Sequence, residues 1–421
     1  MSQLVVLRGI DEGKSYVFEE NVTLGSTPES NLILTDRTLK EIQLGIFKKP
    51  EGYFLSRQKG SLPVFLNGAL FQNNQPLQHE DILQIGLTLI QLQGNNQTQK
   101  RAILKNRYRL VRPLIAEVTG SYYEAQDQKI QRPILLYLAS TALLSRFPQL
   151  QEKLIAYGQM YSKLNHDSLP ALLDFGIDGT FLFFIYEFLG DVTLHSLLKS
   201  GHPLPTPQVL SCVKDLAFVL RFAQKHQLSH WNIHPNTILL HQGRTILLGL
   251  GLDRIWIETC ADGYLKASWQ NKISYLSPEQ TRKGDVTALS DLFSLGVLFF
   301  EMLTGQKPFK SSDPYELIAQ IQKNPYPPLS SLGIEVIPRL EKVLAKLLEK
   351  DHNFRYQNLR DLTNDLEVCS LIFTYREQFE NSIFSRAINT FFFRWFVLPG
   401  MAFAILWGMW HAYLKTILED L

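Results

Sequence analysis

Short apolar runs separated by turn signals open the chain: LVVL (Leu4 to Leu7), SYVF, NLIL, YFL, VFLNG, DILQIG and TLIQL, with Gly13, Gly25, Gly60, Gly68 and Gly86 between them. Strands this short and regular predict an all-β sandwich over residues 1–95. Further on, Pro148 to Leu164 reads as a helix that tolerates proline in its first turn. The run Leu289 to Leu303, which carries Asp291 and Glu301, reads as a buried helix. The last apolar run is different. WFVLPGMAFAILWGMWHAYL, residues 395–414, contains no Asp, Glu, Lys or Arg. At about 1.5 Å per residue it would reach about 30 Å, the depth of a bilayer core. Trp395, Trp407, Trp410 and Tyr413 lie toward its ends as interfacial aromatics do, and Pro399-Gly400 would be tolerated as a kink. A single transmembrane helix is the expectation.

Composition narrows the classes. A chain of 421 residues, 45% hydrophobic and 19% charged, is globular and long enough for two or three domains. Its net charge of +2 gives no electrostatic footprint for nucleic acid, so none is expected as a partner. Cys212, Cys260 and Cys369 lie far apart without a CxxC pair, so neither a metal site nor a disulfide scaffold is expected. MSQLVVLRGIDEGK lacks the pattern of a signal peptide. Residues 96–107 form a basic linker whose positive run extends to Arg112. It reads as a solvated connection or as a stretch lying on an anionic membrane face. Residues 368–394, with Leu371, Ile372, Phe379, Ile383 and Phe384, read as a helical juxtamembrane connector, and 415–421 as a short tail. Arg376, Arg386 and Arg394 on the near side of the apolar run would place the N-terminal domains in the cytoplasm.

The stretch SHWNIHPNTILLHQGRTILLGLGLDR, Ser229 to Arg254, resembles the catalytic core of a protein kinase, HRDxxxxN followed by a hairpin and DFG. The resemblance covers residues 108–367 and implies an α+β bilobal fold. In that family the Asp orients the substrate hydroxyl, and the Asn and the DFG Asp hold magnesium. With His230 aligned, the base position is Asn232, the metal-binding Asn position is Thr237, with Asn236 one residue away, and the DFG Asp position is Gly249. In LIAEVTGSYYEAQD the last loop glycine is Gly120, while the first two positions are Ile115 and Glu117. The lysine that pairs with the phosphates falls on Tyr137, and the glutamate that pairs with that lysine falls on Tyr157. Glu187 stands at the first hinge acid. His230, Glu279 (in SPEQ, for APE), Asp291 and Arg355 stand at structural positions, and the resemblance implies an ion pair between Arg355 and Glu279.

The order VTLGS, SNLIL, LNG and LQHEDILQIG in residues 1–95 resembles a forkhead-associated (FHA) domain. Such domains bind phosphothreonine through an Arg and a Ser. Here Ser26 takes the Arg position, and Lys40 and Gln43 take the Ser and His positions of the family's SxxH; Arg37, Lys40 and Asn67 would be the phosphopeptide contacts. A phosphate dianion calls for a guanidinium fork or several charge-assisted bonds. The sandwich therefore reads as a docking module.

Taken together, the sequence reads as a membrane-anchored pseudokinase scaffold or regulator. It would be a single-pass protein of a bacterial inner membrane that recruits signalling or secretion-apparatus protein partners at the bilayer, with no phosphoryl transfer and no cofactor. Two alternatives stay open: a divergent serine/threonine protein kinase that binds ATP and magnesium, with Asn232, Asn236 and Asp253 as candidates, and a phosphothreonine-reading adaptor.

Overall fold

A computed structural model describes residues 2–8, 11, 14–35, 43–59, 64–66, 69–71, 73–77, 81–85, 88–93, 103–117, 119–179, 181–260, 272–282, 286–311, 313–334, 337–380 and 410–411. The chain divides into two compact units. One comprises Met1–Val192, Leu248–Ser274 and Ser311–Leu317, and the other Thr193–Leu247, Tyr275–Lys310 and Ile318–Leu421.

The first unit begins with two sheets. One orders six strands as Ser15–Phe18, Ser2–Arg8, Thr88–Gln93, Ile82–Ile85, Val64–Leu66 and Ala69–Leu70. The other orders five as Leu32–Ile33, Val22–Gly25, Gln43–Lys49, Gly52–Lys59 and Gln75–Leu77. Period-2 patterning sends Leu4, Val6, Leu24, Leu44, Ile46, Leu55, Ile85 and Ile90 into one shared core. This does not make the region an FHA sandwich, and that expectation is corrected. Ser26 offers no cation at the decisive position. Asn31 turns its carboxamide oxygen onto the backbone N–H and the hydroxyl of Thr23, both at 2.8 Å, and so ties its segment to the strand Val22–Gly25. Arg37, Lys40 and Asn67 lie outside the described residues.

The same unit continues with an antiparallel sheet of β1 (Ile103–Leu104), β2 (Tyr108–Ala116), β3 (Gly120–Asp127), β4 (Arg132–Ala139), β5 (Leu172–Asp178) and β6 (Phe181–Glu187), in the order β1-β2-β3-β4-β6-β5. Ile134, Leu136 and Leu138 face one core with Tyr108, Tyr123 and Phe183. Tyr137, alternating with them, points to the opposite face. Helices α1 (Thr141–Arg146) and α2 (Gln149–Tyr161) follow β4, and α2 buries Leu150, Leu154, Tyr157 and Tyr161. Basic residues near the sequence-predicted linker are held by acids: Arg107 forks onto Asp127 at 2.7–3.0 Å, and Arg112 pairs with Glu124 and Asp191.

The second unit is mainly helical. It contains α3 (Leu194–Leu198), α4 (Thr206–Lys225), and a hairpin of β7 (Ile238–His241) and β8 (Arg244–Leu247). The first unit then takes the chain through α5 (Leu252–Thr259). Back in the second unit, α6 (Pro278–Thr281) leads to α7 (Ala288–Thr304), buried along nearly its whole length. Its cap is a reciprocal pair of Thr287 and Ser290, and Gly305 closes it in the left-handed region at φ 70°. α8 (Pro314–Lys323) begins in the first unit and ends in the second; α9 (Pro338–Leu347) and α10 (Leu359–Glu380) complete the fold. α10 packs on α4 through Leu362, Leu366 and Cys369, so the start of the expected connector belongs to this unit.

Among the described residues no helix is long and apolar enough to cross a membrane. The longest, α10, carries Arg360, Asp361, Asp365, Glu367, Arg376, Glu377 and Glu380, far too many charges for hydrocarbon. The expectation of a membrane-spanning helix, and with it the single-pass localisation, is corrected on this ground. Residues 395–414, apart from Trp410 and His411, lie outside the described residues.

Candidate active site

The loop at residues 229–237 is fastened from below by one carboxylate. Asp291, in the first turn of α7, accepts the backbone N–H of His230 and that of Trp231, each at 2.7 Å. His230, wholly buried, accepts the N–H of Asn232 at Nδ1 (3.2 Å), and Gln280 of α6 donates to the Trp231 carbonyl at 2.8 Å. Trp231 sits at φ 68°, a left-handed backbone that a bulky residue enters only at a cost of about 1–2 kcal/mol. The two bonds from Asp291 offset that strain. Burial pushes the Asp291 carboxyl up to about 7, against the two N–H groups that favour its charged form. Asn232 is thereby held at a fixed place, with only 8% of its surface exposed.

Thr237 has a different occupation from the metal ligand whose position it takes. Its hydroxyl donates to the His234 carbonyl at 2.8 Å and accepts the His234 N–H at 3.2 Å, capping the turn Pro235–Thr237. Asn236, beside it, is half-buried. Arg355 and Glu279 form the expected pair: Nη1 to Oε1 at 2.7 Å and Nη2 to Oε2 at 2.9 Å. Arg355 also donates to the carbonyls of Leu289 and Glu349, and the Ser290 hydroxyl donates to Glu279 at 2.7 Å. Burial alone would raise Glu279, but these bonds and the Arg355 charge hold it below the usual carboxylate range.

In the first unit, an aromatic cluster replaces the lysine–glutamate pair. Tyr137 on β4 lies 4.9 Å, ring to ring, from Tyr122 and 6.1 Å from Phe184; Tyr157 on α2 lies 5.4 Å from the same Phe184. Tyr137 and Tyr157 thus meet through Phe184, where a charge pair would have met directly. Burial raises both phenols well above 10, so they stay neutral. Tyr137 donates its hydroxyl to the Thr119 carbonyl at 3.0 Å. That carbonyl belongs to a tight turn closed by mutual backbone bonds between Glu117 and Gly120. A Cβ at Gly120 would collide with the Leu138 carbonyl and the Tyr137 ring, so packing alone requires this glycine. Gly249 adopts φ 75° and Gly251 φ 79°, and a Cβ at Gly249 would stand 3.2 Å from the Tyr122 hydroxyl. Helix α5 starts immediately after, with half-buried Asp253 in its first turn, and buries Trp256 where α5 packs on α2. Glu187 spends one carboxylate oxygen on the Ala171 N–H at 2.9 Å.

Sequence reasoning missed one contact. Lys272 reaches Glu117 at 2.6 Å, and both side chains are nearly buried. No local pattern signals a pair separated by so much chain.

Residues 117–366 match the family of protein tyrosine and serine/threonine kinases. The chain belongs to that family. The match does not extend to the N-terminal sheets. The kinase-family chain is 28% identical to the serine/threonine-protein kinase PknB of Mycolicibacterium smegmatis, over 62% of this chain and 43% of the relative. It is 28% identical to the serine/threonine-protein kinase PknL of Mycobacterium tuberculosis, over 66% of this chain and 69% of the relative. It is 24% identical to the serine/threonine-protein kinase PrkC of Bacillus subtilis, over 63% and 41%. The aligned region thus spans about two-fifths of the PknB and PrkC lengths. These relatives overturn the reading of an inert scaffold. They carry the names of serine/threonine protein kinases.

Proposed function

We propose that this chain is a divergent serine/threonine protein kinase that moves the terminal phosphoryl group of ATP to a protein hydroxyl. The observation that carries this reading is the Asp291 carboxylate. It accepts the backbone N–H groups of His230 and Trp231, the latter in a left-handed conformation, and so fixes the backbone that carries Asn232.

The reaction forms a bond from the substrate oxygen to the terminal phosphorus and breaks the bond to the bridging oxygen, leaving ADP. Its transition state is loose, so positioning and charge carry most of the catalysis. Asn232 can accept a hydrogen bond from the hydroxyl at its amide oxygen but cannot take the proton. The proton therefore passes to the oxygens of the transferred group. Losing a general base of this kind costs about 10²–10⁴ in rate, so slow turnover is expected.

No group of three or more His, Cys, Asp or Glu side chains suited to a metal occurs among the described residues. Magnesium fits the donor set in its other common mode, one or two side-chain oxygens completed by phosphate and water. Asn236, half-buried in the Pro235–Thr237 turn, would supply one such donor. The ion would neutralise phosphate charge. The partners are then proteins presenting serine or threonine. Incubating the chain with magnesium ATP and a generic serine- and threonine-bearing protein tests the reading. Phosphate should enter the substrate at serine or threonine, and Asn232→Ala should abolish it.

A further inference from the structure

We propose that Lys272 supplies the phosphate-facing cation that Tyr137 cannot, with Glu117 as the carboxylate that orients it. This rests on the kinase reading and adds the residue that would recognise the nucleotide's charged end. The ammonium of Lys272 lies 2.6 Å from Glu117, with side-chain exposures of 5% and 12%. Burying such a pair is costly, and packed apolar residues would serve stability as well or better. The pair therefore calls for a role besides holding the fold together.

The placement indicates that role. Glu117 occupies the tight turn between β2 and β3, where it bonds reciprocally with Gly120. Tyr137 is anchored to this same turn through the Thr119 carbonyl. The position that would bear a phosphate-binding lysine and the lysine actually present thus converge on the turn closed by Glu117 and Gly120, although they come from distant parts of the chain. Their characters are opposite. Tyr137 is fully buried among aromatic rings and carries no charge. Lys272 brings an ammonium with three donors, of which one carboxylate oxygen takes one. Glu117, which as an isolated acid would repel phosphate, has its charge offset by this contact. One local anion and one local cation restore the balance that the aromatic cluster removed. The ligand chemistry is a nucleoside polyphosphate, recognised through its phosphates.

The test measures binding by calorimetry on the full chain, using magnesium ATP and, separately, adenosine. The variants are K272M and the double variant K272M/E117Q, which removes both charges without leaving a buried carboxylate alone. Charge-assisted bonds of this kind correspond to a loss of about tenfold to a hundredfold in ATP affinity. Both variants should show that loss while binding adenosine as the wild type does, and K272R should retain most of the ATP affinity. Because adenosine binding reports the folded fraction, a folding defect would weaken both ligands equally and would leave their ratio at the wild-type value, which overturns the proposal. An unchanged or raised ATP affinity in the double variant also overturns it, leaving the pair as a bridge or a lock, while the kinase reading stands. If the wild type binds neither ligand, the kinase reading fails and the proposal falls with it.

Discussion

At the scale of single residues, the substitutions fall into two kinds, those that are packed and those that are merely placed. Tyr137 is packed. Its ring fills the space between Tyr122 and Phe184. Restoring the family residue by Tyr137→Lys would bury an ammonium among aromatic rings with no acid at Tyr157 to receive it. We expect such a change to lower stability by several kcal/mol, on the order of the cost of an unpaired buried polar or charged group, measured as a lower denaturant midpoint. Arg355 is the other packed case. Removing one partner of a buried pair strands the other, so Arg355→Ala should cost about 3–5 kcal/mol in a denaturant titration. Arg355→Lys should also be damaging, since a lysine cannot reproduce the fork onto both oxygens of Glu279. Gly249 is merely placed. At φ 75° a side chain is strained, and its Cβ would press on the Tyr122 hydroxyl, so Gly249→Ala should destabilise by about 1 kcal/mol.

At the scale of elements, the Asn232 loop and α7 act as one piece, and pH should reveal it. Asp291 has a carboxyl pushed up to about 7, above the roughly 3.9 of an unfolded aspartate. Between those values the folded state binds more protons than the unfolded one, so this group's contribution is fullest below about 4 and is lost as pH rises through 7. Glu279 has the opposite sign: depressed in the fold, it stabilises above the unfolded glutamate value and loses that contribution on acidification. Comparing wild type with Asp291→Asn cancels Glu279 and isolates the first effect. The stability of the wild type relative to the variant should fall between pH 5 and pH 8, as read by denaturant titration at each pH. A constant difference would mean that Asp291 keeps one ionisation state throughout.

The elements also show what the sequence made legible. Hydrophobic continuity from Leu289 to Leu303 placed α7, found at Ala288–Thr304, and a helix expected from Pro148 is found at Gln149–Tyr161. Both follow from local periodicity, which a reader of residues can see. The Arg355–Glu279 fork was legible only through a family pattern. The pairing of Lys272 with Glu117 was not legible at all, because it depends on where the fold returns the chain. The cap formed by Thr237 was hidden for a subtler reason: a residue counted as a lost ligand turned out to have a structural task.

At the scale of the molecule, two expectations gave way for separate physical reasons. A spanning helix was inferred from an apolar run, yet among the described residues the long helices are either charged or buried in the fold. An inert scaffold was inferred by counting absent side chains. That count treats catalysis as a list of positions, whereas the relatives that the chain matches carry the names of serine/threonine protein kinases. The decisive measurement is the initial rate of phosphate transfer from magnesium ATP to a serine- and threonine-bearing protein, made on wild type, Asn232→Ala and Tyr137→Phe. The account predicts slow transfer by wild type, loss in Asn232→Ala, and a rate in Tyr137→Phe that is lowered but not lost, because the ring still packs without charge while the hydroxyl that anchors the Thr119 turn is gone. No transfer by wild type, or equal rates in wild type and Asn232→Ala, would contradict it.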